Sequence, residues 1–196
     1  MRHILCTLLL AVTLFQAAQA QISVGATLGP AIPTGGYAKF AKAGVGFTAE
    51  GRYALNESFN VGVNIGYAHI GAKELVVYTQ NGNVFEIDGS YNFANITAVA
   101  EYFILDEDIR PFVGLEIGAY PLTFRIKHKE LGLDEKLSRT GFGLAPTVGA
   151  LYEIADGLDA LANMKYTLTG STVDIDGEKG VSAFSINVGV RYTLDF

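Results

Sequence analysis

The 196-residue chain contains no tryptophan, a single cysteine and only 17% charged residues, against roughly a quarter in ordinary soluble domains. So little charge means that something other than water covers part of the folded surface. The one cysteine, Cys6, lies in the first apolar stretch and too early to be a lipid-modified first residue. Beyond it the chain offers no disulfide, thiol nucleophile or thiolate metal ligand. Also lacking after residue 20 is any apolar run near the ~20 residues that a membrane-spanning helix needs. Basic charge is short as well. Fourteen Lys and Arg face 20 Asp and Glu for a net of −6, a balance that disfavours nucleic-acid binding.

What is present begins with a compartment signal. Arg2 and His3 precede the apolar run Ile4 to Phe15, followed by small and polar residues ending Ala18-Gln19-Ala20. This is the pattern of a secretory signal peptide with an A-x-A cleavage site. Residues 1–20 are expected to be removed, leaving one domain, 21–196, that begins at Gln21. The apolar run is too short for a helical membrane anchor.

Beyond residue 20 apolar residues alternate with small or polar ones, the period of a β-strand. In the last segment Phe184, Ile186, Val188, Val190, Tyr192, Leu194 and Phe196 share one face, and Ser185, Asn187, Gly189, Arg191 and Thr193 the other. The pattern recurs eight times and predicts strands over 22–30, 43–55, 58–70, 90–104, 110–120, 140–153, 158–169 and 183–196. Short turns near Asn56-Glu57, Asp106-Glu107-Asp108 and Asp156-Gly157 alternate with long loops around 31–42, 71–89, 121–139 and 170–182. Strand number, strand length and alternating loop length predict an all-β, eight-stranded antiparallel up-and-down transmembrane β-barrel. A soluble sandwich or lipocalin-like barrel would turn the apolar faces inward. Against those folds, the opposite face is crowded with small residues such as Gly46, Gly62, Gly66, Gly114, Gly118 and Gly189, as a narrow lumen requires. Tyr and Phe also collect near the strand ends, like the aromatic girdles of a membrane barrel.

If the apolar faces meet lipid, the alternation puts Glu50, Arg52, Glu101, Glu116, Lys165 and Arg191 in the lumen. Eight strands leave an interior only wide enough for side chains to fill it, so these charges must pair or stay hydrated. They form either a static network or a gate in which pairs such as Glu116 with Arg191 exchange partners; the static network is favoured, because an unpaired buried charge costs several kcal/mol. Val99 and Phe103 fall on the supposed lumen side, which suggests a bulge in the fourth strand.

The third long loop carries Arg125, Lys127, Lys129, Lys136 and Arg139, a possible anion-binding patch for lipopolysaccharide phosphates or an anionic host ligand. Charge runs are usually solvated surface, and Glu130, Asp134 and Glu135 offset these bases. The second loop, Leu75 to Ile87 around Asn81-Gly82, is expected to form a hairpin with a two-residue turn. Asp174, Asp176 and Glu178 match a calcium loop only in part, and no zinc spacing occurs, so no metal and no cofactor are expected. His69 and His128 are the histidines after the leader, and neither sits in a Ser/His/acid pattern. An enzyme is not expected.

The ending Val190-Arg191-Tyr192-Thr193-Leu194-Asp195-Phe196 resembles the terminal signal of outer-membrane barrels. Val190, Tyr192, Leu194 and Phe196 would carry it, which implies insertion by the barrel assembly machinery. The segments Ile109–Gly118 and Val99–Phe103 are similar to strand motifs of small porin-like and OmpA/OmpX-type outer-membrane β-barrels. The resemblance covers residues 21–196 and implies a bacterial outer-membrane location among outer-membrane lipids and lipopolysaccharide; no peptidoglycan-binding domain is expected after Phe196. The expectation is a non-enzymatic integral outer-membrane protein, a structural scaffold presenting four extracellular loops to a ligand not identified from sequence. The alternative is a narrow porin-like channel for ions or small polar solutes through the charged lumen.

Overall fold

The computed structural model describes residues 21–196 apart from 74, 79–83, 106, 129–132, 171–173, 176–177 and 195–196. The leader, residues 1–20, lies outside the described residues. Eight long strands make up the body: β1 (Ile22–Thr34), β2 (Ala41–Asn56), β3 (Phe59–Ala72), β4 (Val84–Phe103), β5 (Ile109–His128), β6 (Leu133–Ala155), β7 (Leu158–Thr169) and β8 (Ser182–Leu194). Each pairs antiparallel with its neighbours in sequence, and β8 returns to β1, from Ile22 opposite Leu194 to Thr34 opposite Ser182. The sheet is therefore a closed up-and-down barrel of eight strands. Closure gives β1 and β8 the backbone partners that an open edge would lack.

Side-chain direction follows the alternation. Ser23, Thr27, Asn64, Thr97, Thr147 and Asn187 are buried on the inner face, while Leu28, Val45, Ile65, Ile117 and Val188 stand exposed on the outer one. A soluble domain would have the reverse arrangement, so the sandwich and lipocalin alternatives fail on this observation. Tyr53, Tyr102, Tyr152 and Tyr192 ring the short-turn end, and Tyr67, Phe142 and Tyr166 the long-loop end, all facing outward. No helix among the described residues is long and apolar enough to cross a membrane.

The strand ends differ from expectation in one region. β5 continues to His128 and β6 starts at Leu133, so much of the expected loop 121–139 is a pair of hydrogen-bonded hairpin arms. Leu122, Phe124 and Ile126 alternate with Thr123, Arg125 and Lys127 here, and the high charge of the segment disguised a strand. The expected Leu75 to Ile87 hairpin is present: a short strand, Leu75–Tyr78, pairs with the top of β4, from Leu75 opposite Ile87 to Tyr78 opposite Val84, so β4 begins at Val84. The Asn81-Gly82 turn lies outside the described residues. The expected bulge in the fourth strand is absent. The β3–β4 register runs unbroken from Phe59 opposite Tyr102 to Gly71 opposite Ser90, and Val99, Glu101 and Phe103 all point into the lumen.

Two apolar layers inside the barrel were not anticipated. Near the short turns Phe103, Phe112, Leu151 and Leu161 pack together. Near the long loops Ile70, Tyr91, Phe93, Tyr120, Leu122 and Val181 pack under Tyr37, which sits on a 3-10 turn, Gly35–Lys39. Between them the lumen is polar.

Val188 lies midway along β8, facing outward. Val188→Arg is expected to destabilise the barrel by about 2–4 kcal/mol in a lipid bilayer, the cost of a charge on the lipid face at mid-depth. Urea titration followed by the gel mobility of unheated samples measures it. An unchanged midpoint would mean that this face does not meet lipid.

Candidate functional site

The polar middle of the lumen is built by five strands. Glu50 and Arg52 come from β2, Glu101 from β4, Glu116 from β5, Lys165 from β7 and Arg191 from β8, and five of the six are buried, Lys165 nearly so. Four of them form a closed ring. Glu101 accepts hydrogen bonds from Arg52 Nε at 2.8 Å and from Arg191 Nη1 and Nη2 at 2.9 and 3.1 Å. Glu50 accepts from Arg191 Nε at 2.7 Å and from Arg52 Nη2 at 3.2 Å. Each guanidinium thus bridges both carboxylates. Arg52 Nη1 also donates to Asn64 Oδ1 at 2.8 Å, and the Arg191 guanidinium lies 5.8 Å from the centre of the Phe112 ring. The planar fork of arginine is what allows one cation to serve two anions at once.

A glycine opens the space for this ring. Gly25 on β1 lies opposite Arg191 on one side and Glu50 on the other. A Cβ at Gly25 would stand 2.8 Å from Glu50 Oε1 and 2.7 Å from the Val190 carbonyl oxygen. With no side chain on β1 at this level, Arg191 reaches across that strand to Glu50. The pairing of Glu116 with Arg191 suggested by sequence is therefore not made. Glu116 instead accepts from Lys165 Nζ at 3.2 Å and from Thr97 Oγ1 at 3.1 Å. The gap left beside these groups measures about 10 Å³, room for about one water molecule.

Sequence reasoning missed a further ion pair, outside the ring and the Glu116–Lys165 contact. Arg110 Nη2 meets both Asp159 carboxylate oxygens at 2.7 Å, at the short-turn end of the lumen. The signal was there, since Asp159 shares the inward register of Leu161, Asn163 and Lys165. Asp159 lies within the predicted strand 158–169, but its charge was not carried into the lumen set. This end opens into a vestibule of about 210 Å³, lined in part by Ser23, Asn56, Arg110, Asp159 and Arg191.

The basic residues of the third long connection are not brought to one face. Arg125 on β5 and Lys136 on β6 are cross-strand neighbours and both exposed, sharing their face with Thr123 and Ser138, whose hydroxyls lie 2.9 Å apart. Arg139 lies opposite Leu122, on the face that turns toward the inner aromatic cluster, yet it is exposed. Lys127 lies on β5, but its side chain, like all of Lys129, is outside the described residues. Of the terminal-strand residues, Val190 and Tyr192 face outward and Leu194 lies opposite Ile22; Phe196 is outside the described residues. His69 Nδ1 lies 2.8 Å from Asn92 Oδ1, which also accepts from the Tyr67 hydroxyl at 2.7 Å, so its near partner is an amide rather than a nucleophile or an acid. The described residues contain no group of three or more potential metal ligands.

A family model described as outer membrane protein beta-barrel domain matches residues 4–193. Among solved structures the chain is similar to the attachment invasion locus protein Ail of Yersinia pestis, at 20% identity and a TM-score of 0.52, covering 89% of this chain and 97% of that one. Neisserial surface protein A is 18% identical with a TM-score of 0.57, over 88% and 96% of the two chains. A major outer membrane protein of Thermus thermophilus is 14% identical with a TM-score of 0.60, over 90% and 100%. At these identities the likeness speaks for the fold. No curated protein matches in sequence.

Glu101 accepts three bonds from two arginines, so neutralising it leaves both cations short of a partner. Glu101→Gln is expected to cost about 3–5 kcal/mol, the range for breaking a buried ion pair on one side. Glu116→Gln should cost less, because the Lys165 amine retains some exposure and can regain water. Urea midpoints of the two variants rank them, and an equal loss would show that the ring is not held more tightly than the single pair.

Proposed function

The chain belongs to the outer membrane protein beta-barrel domain family, and we propose that within it this protein is a non-conducting, non-enzymatic scaffold whose loop-side sheet carries recognition at the cell surface. The observation that carries this reading is the occupied lumen. The Arg52–Glu50–Arg191–Glu101 ring closes the middle, and an apolar layer lies toward each end. An ion crossing the barrel would have to part bridged charges inside a low-dielectric wall, which is costly, and pass the aromatic cluster at the loop end. The leader sends the chain across the inner membrane, and the alternating apolar residues of β8 serve as the signal read by the assembly machinery.

The strands β4, β5 and β6 continue past the outward aromatic residues Tyr67 and Phe142. Loops positioned on a rigid support commonly carry binding. Ail has been crystallised with the heparin analogue sucrose octasulfate. On the present barrel the exposed Arg125 and Lys136 pair offers a comparable chemistry, two adjacent cations outside the membrane, suited to phosphate or sulfate groups of lipopolysaccharide or of a host glycan.

Planar-bilayer recording separates scaffold from channel. Purified barrel is expected to be silent, whereas steady picosiemens openings that change with reversal of Glu101 or Arg191 would establish the channel. For the surface, Arg125→Glu with Lys136→Glu is expected to lower the salt needed to elute the protein from immobilised heparin, with stability unchanged. Elution at the same salt would remove this face from any anion contact.

A further inference from the structure

The loop-side half of the lumen holds a second feature that neither the charge ring nor the surface sheet uses. A cavity of about 50 Å³ lies there. Small residues, among them Gly29, Ala31, Gly46, Ala68 and Ala183, leave the space for it. Phe93, the cross-strand neighbour of Ala68, and Tyr120 also line it, together with polar side chains such as Thr48 and Asn187, and Tyr37 forms part of the roof.

Three polar atoms at this cavity have no hydrogen-bond partner: Tyr37 Oη, Asn95 Nδ2 and Tyr120 Oη. Their residues are 5%, 8% and 1% exposed. Buried polar groups are almost always satisfied by protein or by ordered water, and three orphans around one pocket give it donors for water or for a solute that accepts hydrogen bonds. Burial, and after it the neighbouring Tyr91, hold the Tyr37 phenol well above its ordinary range, so it remains an O–H donor. Charge has no place there. Lys165 is the one charged residue on the lining, and Glu116 already holds it. An ion entering would be stripped of water with no free counter-charge among the described residues. At 10–15 Å³ for each water, the volume admits about four waters or one solute of about four heavy atoms.

The roof differs from the walls because it is not part of the barrel sheet. Tyr37 rides on the Gly35–Lys39 turn, which leaves β1 through Gly35 in the left-handed region, φ 60°. The turn is tied down by Lys73 Nζ donating to the Ala38 carbonyl at 2.7 Å, and by mutual hydroxyl and carbonyl bonds between Thr34 and Ser182 at its base. Tyr37 itself meets Tyr91 edge-on, with ring centres 5.2 Å apart. Lifting it would break these bonds and draw the Tyr37 ring out of its packing with Tyr91, without parting any strand of the barrel.

We propose that this cavity is a lidded binding chamber for small uncharged molecules that accept hydrogen bonds, such as short amides, with Tyr37 as the lid and Asn95 and Tyr120 as the recognising donors. The charge ring beneath closes the floor, so the chamber takes up solute from the outer side and does not pass it on. The idea is independent of the scaffold reading, since a silent barrel can still bind.

Acetamide titrated into isotope-labelled protein in detergent micelles, read by NMR, tests it. Saturable shifts are expected at the Asn95 side-chain amide and at the Ala31 and Ala183 methyls. They should vanish in Ala68→Leu or Gly46→Val, either of which fills the chamber, with folding verified by heat-dependent gel mobility. Tyr37→Ala should raise the exchange rate at least tenfold. Absence of saturable shifts in both the parent and Tyr37→Ala would overturn the proposal, as would bound water alone without acetamide binding. Equal binding of acetate or guanidinium would overturn it too, because the chamber would then admit ions.

Discussion

The hydrogen bonds between β1 and β8 are the contact on which the rest of the molecule depends. Within hydrocarbon no water can satisfy a strand edge, so a sheet that did not close would leave two rows of backbone groups without partners. Closure in turn fixes the two faces of every strand. The outer face must match lipid and is apolar; the inner face must fit a lumen hardly wider than two side chains. Glycine, alanine, paired charges and a few large rings are the inventory that such a lumen can hold.

Within that constraint the interior behaves as a core made inside out. A soluble domain gathers hydrocarbon at its centre, and this barrel gathers charge there, with Arg191 as its most enclosed cation. Two arginines shared between two glutamates satisfy one another so completely that the group acts as a cross-brace, linking β2, β4 and β8 across the lumen. Gly25 is as much a part of that brace as the charges are, because its missing side chain gives Arg191 its path. The apolar layers on either side lower the dielectric around the ring, which strengthens each pair and raises the penalty for separating them.

The architecture was readable from the sequence because period-two alternation reports which face each side chain occupies, and barrel closure adds no further unknown. Strand count, outward apolar residues and the inward placement of the six charged residues all follow from that one periodicity. What it could not report is height. Whether Arg191 meets Glu50 or Glu116 depends on the stagger between strands, and alternation carries no information on stagger. The upper arms of β5 and β6 were hidden for a different reason: their outward face carries Arg125 and Lys136 in place of apolar residues, so the outward apolar stripe stops, while Leu122 and Phe124 turn to the inner cluster. The aromatic cluster under Tyr37 escaped because it joins residues from several strands and a 3-10 turn, which no single strand's alternation brings together.

The strands are unequal in height. β6 has 23 residues and its neighbour β7 only 12, and the β6–β7 register stops at Gly143 opposite Thr169. At about 3.3 Å for each residue, the β5–β6 arm runs about 30 Å along the strands past the last β6–β7 pair. The molecule therefore has a front and a back. A body arriving along the membrane from the β8–β1 side meets the Thr34–Ser182 bonds that anchor the Tyr37 turn, and one arriving from the β4–β6 side meets a standing sheet. A cylinder with such a step is not indifferent to rotation about the membrane normal: any neighbour that fixes its heading also decides whether the Tyr37 turn looks onto open water or onto another surface.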